Sequence, residues 1–364
     1  MSLTMIPQGA PYGVATGPDG ALWFTLVHQG MVGRLVPGEE PVVHRLDPAD
    51  GGPTVITPGA DGAMWFTEFQ GGRVSRITET GEVTSFAVGA PYGIAAGPDG
   101  AMWFTQLQAD RVGRIAGDGT VTDFEVPLKG GMPSALTAGP DDAMWFTLNQ
   151  GDAIGRVALD GEMTIHRLPT PGAAPVGITA GPDGALWFVE IGAGQIGRIT
   201  VAGEVTEFPL PDRACRPHAI VSGPDGALWF TEWAADRLGR ITLEGKVDEH
   251  DLPSPSPSPS SASSDSSVSS SSAPSHSSES STSSDASASS VSSASLESSS
   301  SSESSAPSGS STTSSEGTGG QAGQAGAGPD AGTARAEPHG LTVGPDGAIW
   351  VALEAGALAR VEIS

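Results

Sequence analysis

A nine-residue phrase, Gly-Pro-Asp-Gly-Ala-Leu-Trp-Phe-Thr at residues 17–25, constrains this chain more than any other feature, because variants of it recur around Trp65, Trp103, Trp145, Trp187, Trp229 and Trp350. The first six tryptophans in this register are 42, 38, 42, 42 and 42 residues apart, and the seventh follows after 121. Self-similarity at such a period marks a repeat array. Each phrase reads as a tight turn running into a short strand: the second glycine tolerates positive φ, and the aromatic and β-branched residues favour a pleated, half-buried surface. In the second copy the turn–strand pattern runs four times, at about residues 55–57, 63–67, 74–78 and 83–87. Four short strands and one Trp per unit predict an all-β fold, a seven-bladed β-propeller with four antiparallel strands per blade. A β-helix would need shorter and more uniform coils. The last copy stops after its third strand, and residues 3–7 parallel the fourth-strand text of residues 206–209 and 249–253. The N-terminal strand is therefore expected to complete the last blade and close the ring, leaving no bare edge.

The long gap before Trp350 reads as an insertion. Residues 254–336 are Ser-rich and then Gly/Ala-rich, with Val268, Val291 and Leu296 as the exceptions to a lack of large apolar side chains. Such text cannot offset the entropy of ordering and is expected to be a disordered loop. Stretching a connection of about 5 residues to about 80 costs only about 2.4 kcal/mol in loop closure, which the ring tolerates. The expected layout is blades one to six with the closing strand at 1–253, the insertion at 254–336 and blade seven at 337–364.

Composition excludes several partners. The formal charge is −25 with no Lys/Arg cluster, which disfavours nucleic acid and anionic membranes. No apolar run approaches the roughly 20 residues of a membrane helix, and the first residues lack the basic-then-apolar pattern of a signal peptide. One cysteine, Cys215, rules out an internal disulfide framework and fits a reducing compartment, so a cytoplasmic location is expected. With no third group placed to orient a Cys–His pair, Cys215 is expected to be a buried, inert thiol. The Arg that follows each phrase on the third strand (Arg34 to Arg360) is expected to be structural, pairing with acids or carbonyls between blades.

The seven copies serve as their own comparison. Twelve residues before each Trp stands a Pro, and the next position reads Tyr12, Thr54, Tyr92, Ser134, Val176, His218 and His339. The residue before the Pro reads Ala10, Gly52, Ala90, Met132, Ala174, Arg216 and Glu337. Blades six and seven thus carry Arg-Pro-His and Glu-Pro-His where packing elsewhere asks for small or apolar groups. Departure from the repeat toward ionisable side chains marks a place to look for function. These residues begin the innermost strand, which lines the channel, and the antiparallel second strand returns to the same face. Glu354, four residues past Trp350, is therefore expected near Glu337 and His339, with His218 facing the same mouth. The remaining histidines (His28, His44, His166, His250) are scattered and expected to be solvated, and His276 lies in the insertion. Glu68, Glu190 and Glu232 stand one step earlier than Glu354, so a Glu near this edge is no signal by itself.

Two carboxylates on a rim suit a hard cation such as Mg²⁺, which takes one or two carboxylates and keeps waters and room for a substrate oxygen. No Cys/His spacing suits zinc. A cation that polarises a carbonyl acidifies the adjacent C–H, and a neutral His beside it can accept that proton. The residues alone support metal-assisted proton abstraction or hydrolysis and name no substrate.

With Pro-Tyr-Gly at residues 11–13, Arg-Pro-His-Ala-Ile at 216–220, Phe-Thr-Glu-Trp at 230–233 and Glu-Pro-His-Gly at 337–340, the ring resembles virginiamycin B lyases. The resemblance spans all but the insertion, which that family lacks. It implies a monomeric seven-bladed propeller that linearises streptogramin B antibiotics, cyclic depsipeptides, by Mg²⁺-dependent elimination at the ester. It further implies that Glu337 and Glu354 hold the metal, that His339 is the general base, that His218 contacts the substrate and that Tyr12 lines the mouth. A lactonase or esterase on the same propeller, and a non-catalytic binding module, are the alternatives.

Overall fold

The chain closes on itself. In the computed structural model, which describes residues 1–254 and 335–363, twenty-eight strands form seven four-stranded antiparallel sheets. The insertion expected at 254–336 lies, apart from its edges, outside the described residues. Six sheets are sequential; the seventh has the order Ser2–Met5, Ala357–Val361, Ile349–Leu353, Pro338–Val343. Ser2 pairs with Arg360 and Met5 with Ala357, so the N-terminal strand completes the last blade as the sequence predicts.

Within a blade the repeated phrase forms a brace. Gly20 takes φ +72° to close the turn. In every blade the turn Asp accepts from the indole Nε1–H of the phrase Trp at 2.9–3.2 Å. The other oxygen of that Asp pairs with the third-strand Arg at 2.5–2.8 Å from Nε, a hydrogen bond in six blades and an ion pair without hydrogen-bond geometry at Arg76–Asp61. Trp23 and Arg34 are direct cross-strand partners, which brings the guanidinium to Asp19. The seven arginines are therefore structural, and each first braces its own blade, because hairpin register supplies the nearest acid; Arg34 also reaches Glu79 of blade two at 3.5 Å, a pairing between blades of the kind the sequence suggests.

Between blades the core is a cyclic series of apolar layers. Trp23 packs with Ile56, Met64 and Phe66 of blade two, Trp145 with Ile178, Leu186 and Phe188 of blade five, and Trp350 with Val14, Leu22 and Phe24 of blade one. That last contact closes the ring by the same packing that builds it. Each buried Trp contributes roughly 4–6 kcal/mol of gross hydrophobic free energy. Of the histidines expected to be solvated, His44, His166 and His250 instead stack on Trp23, Trp145 and Trp229 with centroids 6.2, 5.6 and 5.4 Å apart, where other blades place Phe86, Phe124 and Phe208. Cys215 is fully buried, and burial pushes its thiol up to about 12, which matches the inert reading.

Two features of the innermost strands position the site. Each carries a β-bulge after its Pro: Pro217 pairs with Glu232 but Ile220 with Phe230, and Pro338 pairs with Leu353 but Leu341 with Val351. The extra residue bends the strand and re-aims the side chains that follow the Pro. In blades one to four and blade six, a second-strand threonine donates to the carbonyl after the next blade's Pro, as Thr25 does to Thr54 and Thr231 to His339. Blades five and seven have Val189 and Ala352 at this position.

Glu68, Glu190 and Glu232 turn into the sheets, away from the mouth, and are buried. Among the described residues Glu190 has only the Gln195 amide, on one oxygen, and burial pushes its carboxyl up to about 8; the Gln195 bond opposes that rise and Glu207 adds to it. Its folded pKa lies above the unfolded value, so the folded ring keeps the proton while the unfolded chain releases it, and stability falls as pH rises from about 4.5 toward 8. Glu190→Gln is therefore expected to raise the melting temperature at pH 8 and change it little at pH 4.5, about 2–4 °C for each kcal/mol regained. Thermal melts of both proteins at the two pH values check this.

Candidate active site

The bulges of blades six, seven and one bring three rings together at one mouth of the channel. Tyr12, His218 and His339 each follow a Pro, at the head of Pro11–Thr16, Pro217–Ser222 and Pro338–Val343. The Tyr12 and His339 centroids are 4.5 Å apart, and His218 stands edge-on to His339 at 5.3 Å and to Tyr12 at 6.3 Å. Below them runs a channel cavity of about 410 Å³, lined by the inner strands of all seven blades and including Tyr12, Tyr92 and His218.

Glu354 faces this cluster. Its backbone N–H donates to Glu337 O at 3.1 Å, the register in which Phe69, Asn149 and Trp233 meet Gly52, Met132 and Arg216 in their own blades. That register turns the fourth residue past the Trp to the mouth and the third into the sheet. The Glu354 carboxylate lies 2.8 Å from His339 Nε2 through one oxygen and 3.0 Å from His28 Nε2 through the other. The His339 hydrogen bond, opposed by burial and aided by His28, holds the Glu354 carboxyl down at about 2. An ionised carboxylate only accepts, so both imidazoles donate to it through Nε2.

His28, expected to be solvated, is thus exposed but tied to the site across the ring closure. Its signal was present in the repeats: five residues past the Trp the copies read His28, Gln70, Gln108, Gln150, Gly192, Ala234 and Ala355, and only blade one is ionisable there. Trp233 was also missed; its ring lies 6.3 Å from His339.

Glu337 sits at φ +49°, a left-handed conformation shared by Met132, Ala174 and Arg216 at the same repeat position, so the repeat imposes it. Its N–H donates to Asp236 Oδ1 at 2.9 Å, and its half-buried carboxylate makes no hydrogen bond among the described residues. The donor set fits Mg²⁺: two carboxylates at facing backbone positions, one of them uncommitted, match an ion that takes one or two carboxylates and fills its shell with oxygens. Among the described residues no group of three or more His, Cys, Asp or Glu is arranged as a metal cage, so the remaining ligands would be water or substrate.

The other two groups are neutral. Burial, with His339 beside it, pushes His218 down to about 3, and its Nδ1 is buried without a partner among the described residues. Burial, then Tyr92 and Glu354, raises the Tyr12 phenol well above its ordinary value, and its hydroxyl lies 3.3 Å from that of Tyr92.

Known proteins share this architecture. The family model described as "Virginiamycin B lyase family" matches residues 3–269, which cover blades one to six. A crystal structure of virginiamycin B lyase from Staphylococcus aureus is 31% identical, with TM-score 0.75, and the match covers 100% of this chain and 99% of that one. A catalytically inactive histidine-to-alanine variant of the S. aureus enzyme, solved with quinupristin, is 30% identical over 100% of this chain and 99% of that one, with TM-score 0.74. The sequence match to the virginiamycin B lyase of Saccharopolyspora erythraea is local, 66% identical over 41 residues, and spans 11% of this chain and 14% of that relative. A ring alike from end to end, with a family model matched through six of its blades, leaves one assignment: the chain belongs to the virginiamycin B lyase family.

Proposed function

We propose that the protein opens the ring of a type B streptogramin by elimination at the ester, with Mg²⁺ held by Glu337 and Glu354. The observation that carries this reading is the His339–Glu354 pair at 2.8 Å, in a family whose named members are lyases and beside a neutral His218 and Tyr12. Mg²⁺, when bound, would polarise the carbonyl beside the reacting carbon and make its Cα proton more acidic.

The chain's own groups supply the rest. His339 accepts the Cα proton at Nδ1, the nitrogen left without a partner among the described residues while Nε2 donates to Glu354; the ring then becomes an imidazolium against the ionised Glu354, a charge-assisted pair stronger than the resting hydrogen bond. His218 stays uncharged throughout the working pH range and can hydrogen-bond a substrate carbonyl without competing for protons. Tyr12 offers a phenol that does not ionise. The Cα–H electrons form the Cα=Cβ bond, the Cβ–O bond breaks, and its electrons leave on the carboxylate.

The product is an isomer of the substrate. Mass spectrometry of a type B streptogramin incubated with protein and Mg²⁺ is expected to show a ring-opened species of unchanged mass, absent when a chelator is present. A gain of one water would indicate a hydrolase on the same fold, and no ring opening would remove the lyase reading.

A further inference from the structure

Resting on that reaction, we propose that Arg216 receives the carboxylate released when the ring opens. Arg216 and Trp233 occupy in blade six the two positions that Glu337 and Glu354 occupy in blade seven. Trp233 N donates to Arg216 O at 3.2 Å as Glu354 N does to Glu337 O at 3.1 Å, and Arg216 takes φ +52° where Glu337 takes +49°. The mouth thus presents opposite charges from equivalent sites on adjacent blades: two acids on one side, a guanidinium on the other.

Arg216 is also uncommitted. The seven brace arginines and Arg335 each reach a carboxylate, the last at Asp236. Arg216 is exposed and makes no ion pair or side-chain hydrogen bond among the described residues; its guanidinium carbon lies 5.8 Å from the Trp233 ring centroid. Trp233 in turn lies 6.3 Å from His339. The Trp233 indole thus neighbours both the His339 imidazole and the Arg216 guanidinium; Arg335, 5.9 Å from the same ring, is already paired with Asp236. On a chain of formal charge −25, a free cation at the mouth is the place an anion can gather. Elimination creates one carboxylate, on the oxygen side of the breaking Cβ–O bond, while the proton goes to His339. A planar, always-charged guanidinium matches that group bidentately.

The test reads binding without turnover. The ring-opened acid of a type B streptogramin and its methyl ester are prepared chemically and titrated into the full-length protein in the presence of a chelator, so that no cation holds the carboxylate. Wild type is expected to bind the acid about 10–100-fold more tightly than the ester, a charge-assisted hydrogen bond's worth of preference. Arg216→Met is expected to lose the preference with an unchanged melting temperature, and Arg216→Lys to keep part of it. Equal binding of acid and ester by wild type, or a preference that survives Arg216→Met, overturns the proposal. Absence of ring opening by wild type overturns the lyase reading alone, because the acid-over-ester preference is measured apart from it.

Discussion

His339→Ala lowers kcat for ring opening by about 10²–10⁴-fold, the usual contribution of a positioned general base, while the propeller stays folded. The size follows from where the imidazole sits. It is held by Glu354 at 2.8 Å, backed by Tyr12 at 4.5 Å and met edge-on by His218 at 5.3 Å, so no neighbour can take over its proton. His218 is the nearest substitute, but with its pKa near 3 it is a weak base and cannot replace His339 at neutral pH. The side chain carries little of the fold. Its carbonyl, which Thr231 clamps at 3.0 Å, is backbone and survives the substitution. Initial rates and thermal melts of the two proteins check the prediction; a variant that keeps more than about a tenth of the wild-type rate would remove His339 from the chemistry.

Glu354→Gln and Glu337→Gln separate two roles. Gln at 354 has no negative charge to offer the imidazoles of His28 and His339, and its neutral amide cannot stabilise an imidazolium. A loss of about 10–100-fold in kcat is expected, and added Mg²⁺ does not restore it, because the base itself has lost its counter-charge. Glu337 touches neither histidine and has no hydrogen-bond partner among the described residues, so its replacement acts through cation affinity. Glu337→Gln is expected to show low activity that climbs with Mg²⁺ concentration. Rates across a Mg²⁺ titration distinguish the two, and identical titration curves would contradict the division of labour. The pH profile is a further check on both: Glu354 at about 2 and His218 at about 3 keep their charge states between pH 5 and 8, so neither shapes the profile there.

The fold was legible because a propeller writes itself seven times. The Trp spacing, the turn glycines and the fourth-strand text of residues 3–7 each depend on local chemistry, and the observed strands Pro53–Pro58, Met64–Glu68, Arg73–Ile77 and Val83–Ala87 lie where the pattern places them. The residues after the Pro were legible for the same reason: His218 and His339 break a position that the five other copies define. Cross-blade geometry was harder. The β-bulge that aims those side chains leaves no residue signature, since Tyr-Gly, Thr-Val and Ser-Ala all occupy it. His28 was not legible because its meaning depends on the side-chain register that brings it within 3.0 Å of Glu354 across the ring closure, which the adjacency of blades seven and one alone does not give. The primary partner of each brace arginine was not legible from charge, because Trp23–Arg34 register decides which Asp is reached; the pairing between blades expected from the sequence occurs at Arg34–Glu79.

The most direct test of the account is where a cation settles in the last blade. A crystal structure of His339→Ala grown with Mn²⁺ and a type B streptogramin locates the ion by its anomalous scattering. The account predicts a single peak at the mouth, shared by the Glu337 and Glu354 carboxylates, with the substrate ester over the emptied His339 position. An ion elsewhere, or a bound substrate with no ion at those two acids, would contradict it.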